Sequence, residues 1–501
     1  MTGFFSQNKI WQRLAVLALL LVGLAVRWMD LTDPPLDIHP TRQLHSALMA
    51  RGMYYATVTD APAWQVELAI EQGKREAVIE PPVMETLTAW LYRLAGGEKV
   101  WLARLLSSFF WVIAGLAVFG LAARMTGTAG GLTALGFYLL QTYGVLASRT
   151  FQPDPLMVAL IAAALWAFYA WLESPGWRRA AAAGLFCGTA IFIKNVSVFF
   201  LAVPIIFLLA RKDIKNLLRN GQVWLIGVLS MLPFGIYTLY GTFVAKFLGQ
   251  QFSFRFFPNL WLEAANYSRW IDKINSTVGI PALILGLVGV LLLPAGKPRK
   301  LAIGLWLGYL IYGMTFAYHI GTHDYYQLPL VLIIALSLAP LGSLIGKAFN
   351  EMAGGMKSRL AQAAVLLVVV GLAVWPARNA LRGEDYRTEP AFWRTLGDRL
   401  RDEPVVGLTQ DYGYRMAFYG WDSITNWPGS GDLAVRQLAG RVTPEFEEMF
   451  QNFSEGKSYF LVTWFDDYQR QQSLRAYLET HYPVESGAGY LLFDLQHPLN
   501  P

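Results

Sequence analysis

A carboxylate, an imidazole and a guanidinium occur within six residues, just after the first long apolar segment of the chain. They are Asp37, His39 and Arg42, in the stretch from Leu36 to Gln43. Charged groups this close to hydrocarbon lose hydration, which is costly unless they are paired or put to use. A carboxylate can accept a proton from a nucleophile, and a cation can stabilise a departing anion. We therefore interpret the stretch as the rim of an active site.

The same stretch allows a purely structural interpretation. Asp is a common N-cap residue and Pro is favoured in the first turn of a helix. Asp37 would then cap a short interfacial helix that Pro40 opens. Both interpretations predict a helix after Pro40, and they differ in whether the carboxylate takes part in chemistry.

The composition indicates the setting in which this stretch must work. Of 501 residues, 54% are hydrophobic and only 15% are charged, which predicts a polytopic α-helical membrane protein. The single cysteine, Cys187, excludes an intramolecular disulfide and a cysteine-based metal site. No feature of the sequence indicates nucleic-acid binding.

The charge distribution predicts two domains, 1–378 and 379–501. From Leu381 to the end there are 18 acidic and 11 basic residues, although the whole chain carries a net charge of +6. Such a split is typical of an acidic, water-facing domain joined to a membrane body with basic loops. β-rich runs at 403–408, 458–464 and 490–493, with a helical pattern at 468–482, predict a βαβ unit and a small α/β domain.

The first outer loop is predicted to carry interfacial helices. Residues 10–29 form an apolar segment with a basic N-terminal flank, which predicts a retained helix with a cytoplasmic N-terminus. The pattern at 41–55 suits an amphipathic helix at the interface. The 83–95 segment is short and carries Glu85 and Arg93, so we interpret it as a second interfacial helix.

Ten further apolar segments complete the predicted membrane domain of about eleven spans. They run over 101–123, 132–147, 155–172, 180–193, 196–210, 223–240, 279–294, 301–318, 326–345 and 360–376. This register places the basic loops in the cytoplasm and the C-terminal domain outside. The two segments flanking Lys194 are short, and one long helix there would invert everything that follows.

The same register gathers a second set of polar residues on the outer face. The set comprises Arg149, Asp154, Lys194, Asn195, His319, His323, Asp324, Tyr325 and Tyr326, together with Arg255 and Arg269 in the 241–278 loop. Simpler interpretations exist for two of its parts. Asp154 before a proline could be an N-cap, and the aromatic residues of the loop could form an anchoring belt.

The order and sidedness of these motifs resemble membrane glycosyltransferases of the GT-C class. The protein mannosyltransferase and lipid A aminoarabinose transferase group is the most similar, over roughly Trp11 to Leu338. The resemblance consists of one helix, an outer loop with an acid and an Arg-bearing helix, the Pro81-Pro82 segment, and Pro-Asp-Pro-Leu-Met from 153 at a span start. It implies a GT-C-like fold and a polyprenyl-phosphate sugar as donor.

The resemblance also implies roles for individual residues. Asp37 takes the position of the catalytic acid, and Asp154 that of the second acid. By resemblance, the donor phosphate would be bound by residues drawn from Arg42, Glu80 and Lys194, and the substrate by His323, Tyr325 and Tyr326. Their positions in the sequence add Arg255 and Arg269 as candidate phosphate ligands, and His39 and Asp324 as candidate substrate ligands.

The chain departs from the family pattern at two points. Asp37 is followed by Ile38 where the family has Glu, and Arg42 lies further along than usual. These departures leave open that His39 or Asp33 shares the role of Asp37. They also leave open whether a divalent metal takes part, since Glu80 and His323 are suitable ligand types at a dispersed spacing.

The predicted reaction is a single inverting displacement. An acceptor hydroxyl on a lipid, glycan or protein attacks the anomeric carbon, Asp37 takes its proton, and Lys194 and Arg42 stabilise the departing phosphate. The predicted location is the inner (plasma) membrane, with the reaction on the extracytoplasmic face. The alternatives are a transporter or flippase for a lipid-linked substrate, and an envelope scaffold with a sensory outer domain.

Overall fold

The computed structural model of the chain describes residues 9–78, 80–210, 213–248, 255–352, 356–438, 440–441 and 444–499. The chain divides into two compact units. The first comprises Met1–Thr32, Val78–Met84 and Trp101–Glu384, and the second comprises Asp33–Ala77, Glu85–Val100 and Asp385–Pro501. The predicted functional domains, 1–378 and 379–501, stay a prediction.

All regular secondary structure in the described residues of the first unit is helical. Its α-helices are Lys9–Arg27, Trp101–Thr126, Thr128–Leu140, Thr142–Ala147, Asp154–Glu173, Trp177–Ile193, Ser197–Leu209, Ile214–Leu218, Gly221–Leu239, Ala264–Thr277, Ile280–Leu292, Lys297–Thr315, Ala317–Thr322, Leu328–Met352 and Met356–Leu381. A π-helical turn, Tyr240–Val244, and two 3₁₀ turns, Pro258–Leu262 and Asp324–Gln327, connect some of them.

Every predicted span coincides with helix, so the prediction of a polytopic helical protein is confirmed. Among the described residues, six helices are long and apolar enough to cross a membrane. A seventh crossing results if Ala264–Thr277 and Ile280–Leu292, which meet at 95°, are counted as one bent span. The predicted 132–147 segment is interrupted at Gln141, whose side chain accepts from the Gly144 N–H and donates to the Thr277 carbonyl.

Two buried arginines of the first unit bind backbone carbonyl groups. Arg27 donates to Ser148 Oγ at 2.7 Å and to the Leu139 carbonyl at 2.8 Å. Arg149 donates to the Met29 carbonyl at 2.6 Å. These bonds tie the end of the first helix to the segment that precedes Asp154, so Arg149 has a structural role.

Close helix crossings depend on residues without a side chain. A Cβ atom on Gly188 would lie 2.0 Å from the carbonyl oxygen of Leu229 in the Gly221–Leu239 helix. That carbonyl receives no helical hydrogen bond from position 233, because Pro233 has no N–H. Small residues at crossings let backbones approach, as is common between membrane helices.

The second unit combines helices with one mixed sheet. Its α-helices are Pro40–Tyr55, Ala63–Arg75, most of Val83–Leu94, Glu389–Leu400, Ser430–Leu438, Phe446–Ser454, Phe465–Arg470 and Gln472–His481. The strands are β1 (Val405–Leu408), β2 (Thr425–Asn426), β3 (Tyr459–Val462), β4 (Val484–Gly487) and β5 (Tyr490–Asp494), in the order β2-β1-β3-β5-β4. The sheet buries Val406, Phe460 and Phe493.

The predicted β-runs form strands, but the predicted βαβ unit is wrong. β1 pairs with β3 in parallel, whereas β3 pairs with β5 antiparallel. The reason is β4, which the sequence analysis missed because its residues are mostly exposed and carry little apolar signal. A turn at Gly489, with a φ of 88°, returns the chain from β4 into β5 and reverses its direction.

We predict that Gly188→Ala destabilises the first unit by about 1–3 kcal/mol, as overpacking of a tight crossing typically does. A matched control is Gly227→Ala on the opposing helix, where an added Cβ meets no atom within 4 Å. Thermal unfolding of the purified proteins in detergent would measure both. Equal melting temperatures for the two variants would contradict the close approach.

Candidate active site

Lys194 lies at a break between two helices of the first unit. The Trp177–Ile193 helix ends at Lys194, whose backbone is extended (φ −156°, ψ 117°), and the next helix begins at Ser197. The structure thus has two helices here, as the sequence predicted, and not one long helix. The break turns the lysine side chain into a polar cluster instead of leaving it on a continuous apolar helix.

The ammonium group of Lys194 contacts two carboxylates. Its Nζ lies 2.9 Å from both Oδ1 and Oδ2 of Asp154 and 3.5 Å from Oε1 of Glu80. The side chains of Lys194, Asp154 and Glu80 are 9%, 3% and 19% exposed, respectively. Buried charges are tolerated when they are paired in this way. Three predicted site residues from distant parts of the sequence therefore meet at one point.

Asp154 does not act as the predicted N-cap. The helix begins at Asp154 itself, and the residue in the cap position is Pro153. The Asp154 carboxylate instead receives the two short contacts from Lys194. A negative charge in the first helical turn is also favoured by the helix dipole.

The predicted histidine and tyrosine residues form an aromatic cluster beside Lys194. The Lys194 Nζ lies 5.5 Å from the centroid of the Tyr325 ring, within the range of a cation–π interaction. The His323 ring lies 5.4 Å from Tyr325, and Tyr326 lies 5.1 Å from Tyr325, between ring centroids. Asp324 opens the 3₁₀ turn that presents these rings.

His319 extends the aromatic cluster, with its ring stacked 5.5 Å from that of His323. Burial, with the nearby His323 and Arg255 acting in the same direction, lowers the pKa of His319 to about 3. The imidazole is therefore neutral at physiological pH. It can accept or donate one hydrogen bond but carries no charge toward a phosphate.

A small cavity opens beside the Lys194 cluster. Its lining residues are Glu80, Pro81, Phe192, Asn195, Phe234, Tyr237, Thr238, Leu248 and Arg255. Glu80 therefore belongs to the cavity wall and to the Lys194 cluster at once. Arg255, predicted from the 241–278 loop, reaches the cavity, whereas Arg269 lies exposed on the Ala264–Thr277 helix. Sequence reasoning missed Tyr237 and Thr238, whose only signal was polarity near the end of an apolar span.

The predicted rim residues Asp37, His39 and Arg42 lie in the second unit, partly buried. The helix starts at Pro40 as predicted, but its N-cap residue is His39 in the left-handed conformation, with no side-chain cap bond. The Asp37 carboxylate accepts from the adjacent Ile38 N–H at 3.0 Å. The capping interpretation of Asp37 is therefore wrong.

Asp33, the alternative acid, has a structural role in the second unit. Its carboxylate lies 3.4 Å from Arg387 Nη1 and accepts from the Tyr386 N–H at 3.1 Å, and its side chain is buried. A carboxylate held in this way anchors the 385–387 segment.

A third polar group of the second unit was not predicted. The Tyr414 hydroxyl donates to Glu76 Oε2 at 2.8 Å, and His45 Nε2 lies 3.4 Å from the same oxygen. Burial raises the pKa of Glu76 to about 7, against the opposing effect of the Tyr414 hydrogen bond. No sequence signal could have linked these residues, since Glu76 and Tyr414 are 338 positions apart.

No group of three or more His, Cys, Asp or Glu side chains within the described ranges could hold a metal ion. Glu80 and His323, the metal ligands considered from sequence, both lie in the first unit.

We predict that Lys194→Met destabilises the first unit by about 3–5 kcal/mol, because it leaves two buried carboxylates without their cation. The double variant Lys194→Met/Asp154→Asn should recover part of this loss, with a coupling of about 0.5–3 kcal/mol. Thermal unfolding of the four members of this cycle measures the coupling. Additive effects would mean that the 2.9 Å contacts contribute little to stability.

The family model described as "Dolichyl-phosphate-mannose-protein mannosyltransferase" matches residues 79–238, the segment that carries Glu80, Asp154 and Lys194. No sequence among the curated proteins matches the chain significantly.

Solved structures share the fold over nearly the whole chain. ArnT from Cupriavidus metallidurans, bound to undecaprenyl phosphate, matches with a TM-score of 0.56 and 15% identity, over 97% of this chain and 98% of that one. The archaeal oligosaccharyltransferase AglB from Archaeoglobus fulgidus, in complex with an inhibitory peptide and a dolichol-phosphate, matches with a TM-score of 0.54 and 10% identity, over 99% and 76%.

At 15% and 10% identity, the structural matches demonstrate the shared fold alone. The family match adds a likeness in sequence, over the segment 79–238 that carries the clustered charges. Both findings point to one class of protein, and neither supports the transporter or scaffold alternatives. The resemblance to GT-C glycosyltransferases is thereby confirmed, and with it the predicted enzyme class, a membrane glycosyltransferase.

Proposed function

We propose that this protein transfers a sugar from a polyprenyl-phosphate donor to an acceptor hydroxyl on the extracytoplasmic face of the membrane. The observation that carries the proposal is the cavity in which Arg255 and Glu80 lie beside the Lys194 cluster. A glycosyl phosphate needs a cation for its phosphate and hydrogen-bonding groups for its sugar, and this cavity offers both. The undecaprenyl phosphate of ArnT and the dolichol-phosphate of AglB support the choice of donor class.

The reaction is an inverting displacement at the anomeric carbon. The acceptor oxygen forms a bond to that carbon, the bond from carbon to the phosphate oxygen breaks, and the acceptor proton passes to Asp37. The phosphate leaves as a lipid phosphomonoester with one more negative charge. Of the predicted phosphate ligands, Arg255 is best suited to bind this charge, since a guanidinium binds phosphate through two parallel hydrogen bonds.

Lys194 acts mainly through the residues that it holds. Its ammonium already contacts Asp154 and Glu80, so its positive charge largely balances those carboxylates. Glu80 is thereby fixed at the cavity wall. Asp154 positions the lysine, and the Tyr325 ring lies 5.5 Å from the ammonium.

We further propose an inner-membrane location with about eleven crossings, a cytoplasmic N-terminus and an extracytoplasmic C-terminal α/β domain. This topology follows from the basic loops, and the two separate helices around Lys194 support its register. The functional division into 1–378 and 379–501, with the second part taking up the acceptor, belongs to the same proposal.

The role of Asp37 predicts a large kinetic effect of Asp37→Asn. Asn is nearly isosteric but cannot accept the proton, so turnover should fall by about 10² to 10⁴ while donor binding is kept. Transfer from a panel of radiolabelled polyprenyl-phosphate sugars, measured with purified protein, gives the rate.

The matched control is Asp60→Asn, the same change at an exposed carboxylate of the second unit. This variant should transfer sugar at the wild-type rate. Near wild-type transfer by Asp37→Asn would remove Asp37 as the base and direct the search to Asp154.

The topology predicts which engineered cysteines react from outside the cell. In a Cys187→Ser background, Glu447→Cys, at an exposed position of the second unit, should react with an impermeant maleimide in intact cells. Ala295→Cys, beside the basic residues at the start of the Lys297–Thr315 helix, should react only after the cells are opened. Labelling of Ala295→Cys but not Glu447→Cys in intact cells would refute the proposed orientation.

A further inference from the structure

Two hydroxyl groups on the cavity wall are buried without a hydrogen-bond partner among the described residues. They are the phenol of Tyr237 and the hydroxyl of Thr238, adjacent in the last turn of the Gly221–Leu239 helix. Buried polar groups in proteins are nearly always hydrogen-bonded, so such a pair calls for a specific explanation. Both residues line the same cavity as Glu80 and Arg255.

Thr238 differs from other helical hydroxyls of the same unit. Ser230, two turns earlier in this helix, donates to the Ile226 carbonyl at 2.7 Å, and Thr189 donates to the Leu185 carbonyl at 2.7 Å. This bond to the preceding turn is the usual way in which a membrane helix satisfies a hydroxyl. Thr238 makes no such bond, which leaves its hydroxyl available to an external partner.

The Tyr237 ring is held in place although its hydroxyl is not. Its centroid lies 5.8 Å from that of Phe192, edge to face, and 5.6 Å from that of Phe247. Aromatic neighbours at these distances fix the ring by packing alone. The phenol is thus a positioned donor and acceptor that the chain itself does not use.

The other residues that line the cavity indicate which kind of ligand the two hydroxyl groups would bind. Glu80 offers a carboxylate acceptor, Asn195 an amide donor and acceptor, and Arg255 a cation. Pro81, Phe192, Phe234 and Leu248 supply an apolar surface. Several hydrogen-bonding groups beside an apolar face suit a sugar ring with adjacent hydroxyls, while the cation suits its phosphate.

We propose that Tyr237 and Thr238 determine donor specificity by hydrogen-bonding hydroxyl groups of the sugar carried on the polyprenyl phosphate. This inference rests on the proposed function and assigns the donor to the class of fully hydroxylated sugars. A site built around buried hydrogen-bonding groups discriminates strongly against an analogue that lacks the matching hydroxyl, because those groups are then left unpaired. Deoxy sugars are therefore poor donors.

The test compares the variants Tyr237→Phe and Thr238→Val with the wild type as purified full-length proteins. The probes are undecaprenyl phosphate alone and a panel of undecaprenyl-phosphate hexoses. Each variant should lose about two- to tenfold in affinity for the preferred hexose lipid, the range for one hydrogen bond. Affinity for undecaprenyl phosphate should change less than twofold. Equal losses with both probes, or no loss with either, would overturn the proposal.

Two control variants separate specificity from a general defect. Tyr240→Phe and Thr189→Val make the same chemical changes at exposed positions of the first unit. They should keep wild-type affinity for both probes. The melting temperature of ligand-free Tyr237→Phe should equal or exceed that of the wild type, because the lost hydroxyl had no partner. A lower melting temperature would assign the hydroxyl a structural role and refute the inference.

The proposed function and this inference fail in different ways. If the wild type transfers no hexose of the panel and binds none of the hexose lipids more tightly than the bare lipid phosphate, both are refuted. If the wild type transfers a hexose and the two variants keep its specificity over the matching deoxy donor, only the roles of Tyr237 and Thr238 are refuted.

Discussion

A single buried ammonium constrains the architecture of the first unit. Lys194 occurs in a region of nearly continuous apolar sequence, where an unpaired charge would be prohibitively unfavourable. The chain accommodates it by ending one helix at Lys194 and starting the next at Ser197. Two carboxylates then meet the ammonium, from the start of the Asp154–Glu173 helix and from the segment before Pro81. The helix break, the helix start and the proline segment are therefore positioned by one electrostatic requirement.

This requirement also shapes the cavity. Because Glu80 is shared between Lys194 and the cavity wall, the charge cluster fixes one side of the space that would hold a substrate. Arg255 supplies an opposite charge on the lining, and the aromatic rings around Tyr325 cover the ammonium. A preorganised arrangement of this kind costs little reorganisation during a reaction in which charge develops on a phosphate. The same residues thus stabilise the fold and prepare the site.

The second unit is organised around a different cation. Arg51 forms a bonded pair with Glu98, and its guanidinium lies 4.0 Å from the Phe418 ring centroid and 4.1 Å from that of Trp421. This contact joins the loop segments 33–77 and 85–100 to the chain after Asp385 in one compact body. The stretch that contains Asp37 is held by the same body, through Gln43 bonding to the Ile38 carbonyl and Thr41 bonding to Asp411. The 33–77 and 85–100 segments and the C-terminal region therefore form one structural unit.

Local patterns in the sequence determined much of this protein. Apolar runs of span length, basic loops and Pro40 located the helices, because these signals depend only on neighbouring residues. The charge shift near Leu381 likewise marked where the chain changes character, and the order of short motifs carried the GT-C resemblance. Only the tertiary structure decided which residues form pairs. Glu80, Asp154 and Lys194 became one cluster, Asp33 became the partner of Arg387, and β4 reversed the final strand. Such contacts depend on how distant segments fold together, and one sequence without comparison holds no signal for partners more than a hundred residues apart, such as Glu80 and Lys194.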